Sequence, residues 1–200
     1  MSDIKYPAGT RPIGQYVRKT PTKSKRVLKI SAGNRGMDFE AEINETNLYY
    51  REKGLAVFHK RPTPINIVKV DYSRGAKITE AYFETQSTTD YNGVYRGHYV
   101  DFEAKSIHGK TSFPLANIPH QQIEHLKAVL EQGGIGFFLV RFVTLDKVFF
   151  LPAEYVISFV EEKKRASIPL ADFEAHGKEV PTKYSPRYDF LPLIDEFFLK

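Results

Sequence analysis

The sequence contains no cysteine and no hydrophobic run long enough to cross a membrane. Without thiols, the chain can form neither disulfides nor thiolate metal sites, and it has no cysteine nucleophile. The longest apolar stretch, residues 135–140, stops at Arg141, well short of the ~18 residues of a membrane span. No apolar signal-peptide core follows the N-terminus, so we expect a cytoplasmic protein.

Several catalytic motifs are also missing from the sequence. There is no Gly-x-x-x-x-Gly-Lys loop and no Gly-x-Ser-x-Gly elbow, which argues against nucleotide hydrolysis and serine chemistry. The six histidines do not cluster, which argues against a zinc site. What remains is a chain of 200 residues, 42% hydrophobic and 14% aromatic, which is typical of one globular domain with extensions.

Positive charge is concentrated at the N-terminus. The whole chain has 29 basic and 24 acidic residues, a formal charge of +5. Residues 1–36 hold nine basic side chains and only one acid, Asp3, whereas the rest of the chain is net negative. We expect residues 1–33 to form a basic, mostly disordered arm. Such an arm either captures phosphates or only adds solubility.

A second basic segment covers residues 60–77, with five basic side chains and one acid. It overlaps two β-rich stretches, residues 65–72 and 76–83, which are separated by a short turn. This pattern predicts a protruding β-hairpin that carries positive charge. The alternative is a solvated edge whose lysines discourage aggregation.

Hydrophobic periodicity and turn residues predict an α/β protein. We expect strands near residues 55–59, 135–142 and 147–151, and a strand–turn–strand unit over 85–105 with Asn92-Gly93 and Arg96-Gly97 as turns. We expect helices over residues 37–53, 119–132, 153–163 and 191–198.

Residues 99–105 alternate with period two, which is typical of a strand. Asp101, Glu103 and Lys105 then share one face, and Thr88 and Asp90 come near through the preceding turn. Closely packed acids repel unless a cation neutralises them, and hard oxygen ligands favour Mg²⁺ or Mn²⁺. A divalent ion beside a lysine suits phosphodiester hydrolysis. An ordinary surface strand produces the same triplet by chance.

The wider layout resembles that of PD-(D/E)xK nucleases, and residues 35–40 resemble the opening of archaeal Holliday-junction resolvases of that superfamily. Seven collinear motifs together look like the RecU family of bacterial Holliday-junction resolvases. They occupy residues 34–37, 44–47, 59–64, 87–93, 101–105, 110–115 and 122–125.

The resemblance implies a restriction-endonuclease-like mixed sheet flanked by helices, within a nuclease domain of residues 34–200 that includes a stalk hairpin at 58–82. It also implies four magnesium ligands: Thr88, Asp90, Glu103 and Gln122. Lys105 would stabilise the transition state, and the broader superfamily suggests Glu40 as a further catalytic acid. Asp101 would lie beside the ligands without being one.

The function implied is a Mg²⁺-dependent endonuclease, with Mn²⁺ as a plausible substitute, that resolves four-way junctions by paired symmetric nicks in recombination and repair. A homodimer would place two sites in the required symmetry, and the family is associated with recombinase and branch-migration proteins. The expected DNA-binding side chains are Arg35, Lys60, Arg61, Lys69, Arg74 and Lys77. Two alternatives remain: a restriction-type duplex endonuclease and a noncatalytic branched-DNA-binding regulator.

Overall fold

The computed structural model describes residues 34–84, 88–162 and 165–199, with side chains from Phe39 onward. Its helices are α1 (Asn34–Glu52), α2 (His120–Glu131), α3 (Ala153–Glu162), α4 (Leu170–His176) and α5 (Leu191–Phe198). Its strands are β1 (Val57–Lys60), β2 (Ile65–Asp71), β3 (Lys77–Phe83), β4 (Tyr91–Tyr95), β5 (His98–Ile107), β6 (Ser112–Pro114), β7 (Ile135–Phe142), β8 (Lys147–Pro152), β9 (Ser167–Pro169) and β10 (Lys178–Glu179). The expected arm of residues 1–33 lies outside the described residues, so it stays a prediction.

A six-stranded mixed sheet with the order β1-β4-β5-β7-β8-β10 organises the fold. Strands β5 and β7 are parallel and are connected through α2, whereas the other neighbouring pairs are antiparallel. Strand β7 is buried along almost its whole length because helices cover both faces of the sheet, which explains its nearly continuous apolar sequence. The α/β class with a mixed sheet flanked by helices is confirmed.

The two faces of the sheet carry separate hydrophobic cores. On one face, side chains of α1 and α5 pack over a row of stacked rings, Phe102, Phe137 and Phe150, whose centroids lie 4.8 and 4.3 Å apart. On the other face, α2, α3 and α4 cover alternate residues of β7 and β8. Because side chains alternate along β5, Glu103 points to the face covered by α2.

The predicted hairpin is confirmed, but its predicted start is wrong. Strands β2 and β3 form a separate two-stranded sheet, and every residue in them is exposed except the half-buried Val70. A hydrogen bond from Glu84 N to Pro64 O (3.0 Å) closes the base. Residues 58–60, expected in the stalk, belong to β1 and pair with β4 in the central sheet. The hairpin therefore covers residues 65–83.

The prediction of a turn at Asn92-Gly93 is also wrong. Both residues lie inside β4 and pair with β5. Gly93 is required there by close packing, because a Cβ atom at this position would lie 1.9 Å from the carbonyl oxygen of Val57 on β1. The turn between β4 and β5 is made by Arg96 and Gly97, both with positive φ (49° and 81°), as a type I′ hairpin turn requires.

The expected helices and long strands are present, with boundaries shifted by a few residues. The short elements β6, β9, β10 and α4 were not predicted, because two to seven residues give too little periodicity to recognise. Within the described part of the chain, no helix is both long and apolar enough to span a membrane.

Candidate active site

The candidate site is built on the face of β5 that α2 covers. Glu103 lies near the middle of the strand with its side chain fully buried, and Lys105 follows on the same face. The loop of residues 88–90 leads into β4, whose antiparallel register with β5 brings Asp90 next to Glu103. The backbone N–H of Asp90 donates a hydrogen bond to Glu103 Oε2 (2.9 Å). The fold thus brings together Asp90 and Glu103, which are 13 residues apart in the chain.

Glu103 is placed where its negative charge is poorly stabilised by solvent. The pKa of its carboxyl group is raised to about 7, mainly by burial and then by the negative charge of Asp90, although the Lys105 ammonium acts in the opposite direction. The Lys105 Nζ atom lies 2.6 Å from Glu103 Oε1. The pKa of Glu103 stays raised despite this lysine, so an additional cation would stabilise its buried charge.

Gln122 contacts the loop of residues 88–90 from the first turn of α2. Its side chain is only 4% exposed, and its Nε2 atom donates a long hydrogen bond to the carbonyl oxygen of Thr88 (3.5 Å). Its Oε1 atom is buried and has no hydrogen-bond partner among the described residues. A buried, unsatisfied oxygen is costly, typically by about 1–3 kcal/mol, so this oxygen is available to a ligand.

The donor set fits a hard divalent cation. Two carboxylates, a hydroxyl group and an amide oxygen are the ligand types that Mg²⁺ and Mn²⁺ prefer, and they come from Asp90, Glu103, Thr88 and Gln122. In residues 34–84, 88–162 and 165–199, no three His, Asp or Glu side chains form a group that could hold a metal. A cation here would therefore depend on the neutral oxygens as well as on the two acids.

Glu40, the proposed additional acid, lies on α1. Its carboxylate forms an ion pair with Lys60 of β1, and its backbone oxygen accepts a hydrogen bond from Tyr91 OH (3.3 Å). The pKa of Tyr91 is raised by burial and then by the negative charges of Glu40, Asp90 and Glu103. Glu40 thus contributes to the same negative field as Asp90 and Glu103, and its catalytic role stays a prediction.

Three expected DNA-binding side chains lie exposed on the hairpin or its ends: Lys69, Arg74 and Lys77. Lys60, at the end of β1, is engaged with an acid of α1. Arg61 is turned inward, with its side chain only 18% exposed and its Nη2 atom 2.7 Å from Asp101 Oδ2. Arg61 is therefore placed differently from the outward DNA contact that the sequence suggested. The side chain of Arg35 lies outside the described residues.

Sequence reasoning did not predict that Thr89, Tyr99 and His125 bond to Asp101, although alternation along β5 places Tyr99 on the same face. Weak signals existed, because Thr89 lies between two predicted ligands and His125 follows Gln122 by about one helical turn. The convergence of Thr89 and His125 on Asp101 depends on the sheet register and on the position of α2, which no local pattern encodes.

The sequence comparisons with known proteins show one family. The family model described as RecU, Recombination protein U, matches residues 34–196. A Holliday junction resolvase RecU from Geobacillus sp. (strain WCH70) is 47% identical over 200 residues, covering 98% of each chain. Another, from Lactococcus lactis subsp. cremoris (strain MG1363), is 53% identical over 182 residues, covering 90% of this chain and 84% of the relative. Among solved structures, the Holliday junction resolvase Hjc of Archaeoglobus fulgidus matches with 12% identity and a TM-score of 0.42, covering 72% of this chain and 94% of that one.

Proposed function

Because this chain belongs to the RecU (Recombination protein U) family, we propose that it is a divalent-metal-dependent endonuclease that resolves Holliday junctions. Relatives that are 47% and 53% identical to it carry the name Holliday junction resolvase. The observation that carries the chemistry is the buried Glu103, which accepts a hydrogen bond from the backbone N–H of Asp90 and pairs with Lys105. This arrangement suits phosphodiester hydrolysis in recombination and DNA repair.

We propose Mg²⁺ as the natural ion, with Mn²⁺ as a substitute, held by Thr88, Asp90, Glu103 and Gln122. When bound, a divalent ion supplies Lewis-acid charge, which lowers the pKa of an attacking water and stabilises the charge that develops on the phosphate. The hard oxygen donors and the raised pKa of Glu103 support a cation at this position. The buried Oε1 atom of Gln122 gives a neutral donor whose desolvation cost would be offset by the ion.

Lys105 supplies the second positive charge of the proposed site. Its ammonium group is held 2.6 Å from Glu103 Oε1 and remains 22% exposed, so it is oriented by the protein but still reachable from solvent. We assign it the stabilisation of negative charge on the scissile phosphate in the transition state. Glu40, paired with Lys60, is proposed as an additional acid at the border of the site.

Resolution of a four-way junction requires two nicks in strands of the same polarity. A homodimer with two-fold symmetry would place two copies of the site in that relation, because the junction itself has near two-fold symmetry. We therefore propose that the active form is a homodimer bound to four-way junction DNA.

The hairpin is proposed to contact the junction through phosphates. Its exposed Lys69, Arg74 and Lys77 provide charge without base readout, and the branched shape of the DNA would then provide selectivity. Residues 1–33 and Arg35 would add further phosphate contacts. Recombinase and branch-migration partners, and a cytoplasmic location, stay predictions from the family resemblance.

Purified protein with Mg²⁺ and a mobile four-way junction tests the proposal. Paired nicks placed symmetrically about the branch point are the expected result. Cutting of a linear duplex at the same rate would indicate a restriction-type nuclease. Tight junction binding without cutting, in both Mg²⁺ and Mn²⁺, would indicate a noncatalytic DNA-binding protein and would overturn the proposal.

A further inference from the structure

A buried polar cluster beside the candidate active site has no part in the proposed chemistry. Its centre is Asp101, which is fully buried and lies two residues before Glu103 on the same face of β5. A buried carboxylate is stable only when it is paired and hydrogen-bonded. Asp101 is contacted by four side chains: Arg61, Thr89, Tyr99 and His125.

The contacts around Asp101 are close and come from four different parts of the fold. Arg61 Nη2 donates to Oδ2 at 2.7 Å, and Tyr99 OH donates to the same atom at 2.8 Å. The Nε2 atom of His125, from α2, lies 3.0 Å from Oδ2. Thr89 Oγ1 donates to Oδ1. Such saturation fixes the Asp101 side chain and holds its neighbours against β5.

Arg61 extends this cluster to the loop that carries two proposed metal ligands. Its backbone N–H donates to the carbonyl oxygen of Asp90 (2.8 Å). Its Nη1 atom donates to the carbonyl oxygen and to Oγ1 of Thr89, at 3.3 and 3.1 Å. Thr89 lies directly between Thr88 and Asp90. Arg61 is therefore hydrogen-bonded to both the backbone and a side chain of this loop.

The same residue also lies at the base of the hairpin. Arg61 directly follows β1, four residues before β2 begins, and the loop of residues 88–90 follows the hairpin in the chain. The contacts of Arg61 with Thr89 and Asp90 thus join the two ends of the segment that contains the hairpin. Asp101, on the central strand, anchors that junction to the sheet.

We propose that Arg61 and Asp101 form a positioning pair that holds the loop of residues 88–90 in the geometry needed to bind the metal. This inference rests on the proposed function, because it concerns the same ion. Neither residue needs to touch the metal or the DNA. Groups that orient metal ligands typically change metal affinity or activity by about 10- to 100-fold when they are removed.

The test uses the full chain and two substitutions: Asp101→Asn, which keeps side-chain size, and Arg61→Gln, which replaces the guanidinium group by a shorter neutral amide. Mg²⁺ binding is measured by calorimetry without DNA, and single-turnover cutting of a four-way junction is measured across Mg²⁺ concentrations. We expect each variant to bind Mg²⁺ about 10-fold more weakly and to need more Mg²⁺ for half-maximal cutting. Junction binding in EDTA should stay within about twofold of the wild type, because the phosphate-contacting charges are elsewhere.

The chain offers a matched control in Arg141→Gln. Arg141 is buried to the same extent as Arg61 (17% against 18% exposed) and pairs with Glu42 at 3.0 Å, but it lies on the face of the sheet covered by α1. This control should lower the melting temperature without changing Mg²⁺ affinity. An equal loss of Mg²⁺ affinity in the control would show that general destabilisation is the cause and would overturn the proposal.

Two further results would also overturn the positioning role. The first is wild-type Mg²⁺ affinity in Asp101→Asn. The second is loss of junction binding in EDTA by Arg61→Gln with unchanged Mg²⁺ affinity, which would make Arg61 a DNA contact. If either variant fails to fold, Thr89→Val provides the same comparison, because it removes only the hydroxyl group that bonds to Asp101. A wild type that neither binds Mg²⁺ nor cuts would instead refute the proposed function.

Discussion

The active-site face of β5 and the hairpin of β2 and β3 use charge in opposite ways. On β5, Asp101 and Glu103 are fully buried; Asp101 pairs with Arg61, and Glu103 is bonded by the Asp90 backbone and by Lys105 of the same strand. On the hairpin, almost every residue is exposed, and the basic side chains extend into solvent. A buried site can hold atoms in a set geometry, whereas an exposed hairpin can adjust to a branched substrate. The comparison predicts that chemistry and binding are separable by mutation.

The largest effect should come from the buried acids. Replacing Glu103 or Asp90 by alanine removes a proposed metal ligand and should reduce junction cutting by about 1000-fold or more. Junction affinity in EDTA should stay near the wild-type value, as measured by gel shift. The matched control is Glu161→Ala, an exposed acid on α3, which should cut normally. Loss of binding in the Glu103 variant would show that the acids support the fold and would break the comparison.

Glycine substitutions test whether the two regions differ in rigidity. A Cβ atom at Gly93 would collide with the backbone of β1, so Gly93→Ala should lower the free energy of unfolding by about 3 kcal/mol or more. Gly75, at the hairpin tip, has a φ of 101° and open space around it. Gly75→Ala should cost only about 1 kcal/mol, from backbone strain. Urea unfolding measures both changes. Equal losses of stability in the two variants would contradict the view that the sheet is tightly packed and the hairpin tolerates substitution.

The sequence predicted those regions whose pattern lies within one short stretch of the chain. Alternation along β5 placed Asp101, Glu103 and Lys105 on one face, and the charge and turn pattern indicated the hairpin. Local patterns failed at Gly93, because a glycine required by packing against another strand looks the same in sequence as a glycine required by a turn. The family resemblance, rather than spacing, supplied Gln122.

Arg61 shows a second limit of sequence reasoning. Its position in a basic segment suggested DNA binding, yet its charge is used to balance Asp101, forty residues away in the chain. A charge count cannot tell a basic residue that faces solvent from one that pairs with a buried acid. That distinction appears only when the sheet register places the end of β1 beside the start of β4, and the start of β4 beside β5.

Removing the hairpin charges should weaken junction binding rather than cutting, and this effect should be smaller than that of removing the buried acids. Combined Lys69→Ala, Arg74→Ala and Lys77→Ala should weaken junction binding by about 10- to 100-fold and reduce the slope of log affinity against log salt by about 2 to 3. The cutting rate of the bound junction at saturating protein should change little, because these residues are remote from the buried acids. An unchanged salt slope would show that the hairpin does not contact phosphates. Other basic residues would then provide the affinity for the junction.

The smallest effect concerns the cost of burying Glu103 without a metal. Its pKa is raised from 4.5 to about 7 in the folded state, so the folded protein binds this proton more tightly than the unfolded chain does. Stability from this group is therefore complete below pH 4.5 and is lost as the pH rises through about 7. Glu103→Gln removes the titration, and at pH 8 in EDTA it should raise the free energy of unfolding by about 1 kcal/mol. The full pKa shift alone would raise the free energy of unfolding by about 3 kcal/mol. We expect a smaller gain because Lys105 loses its charged partner in the variant.

Mg²⁺ should stabilise the wild type more than the Glu103→Gln variant, because the ion offsets the buried charge only where that charge exists. A variant less stable than the wild type at pH 8 in EDTA would mean that the ion pair with Lys105 outweighs desolvation.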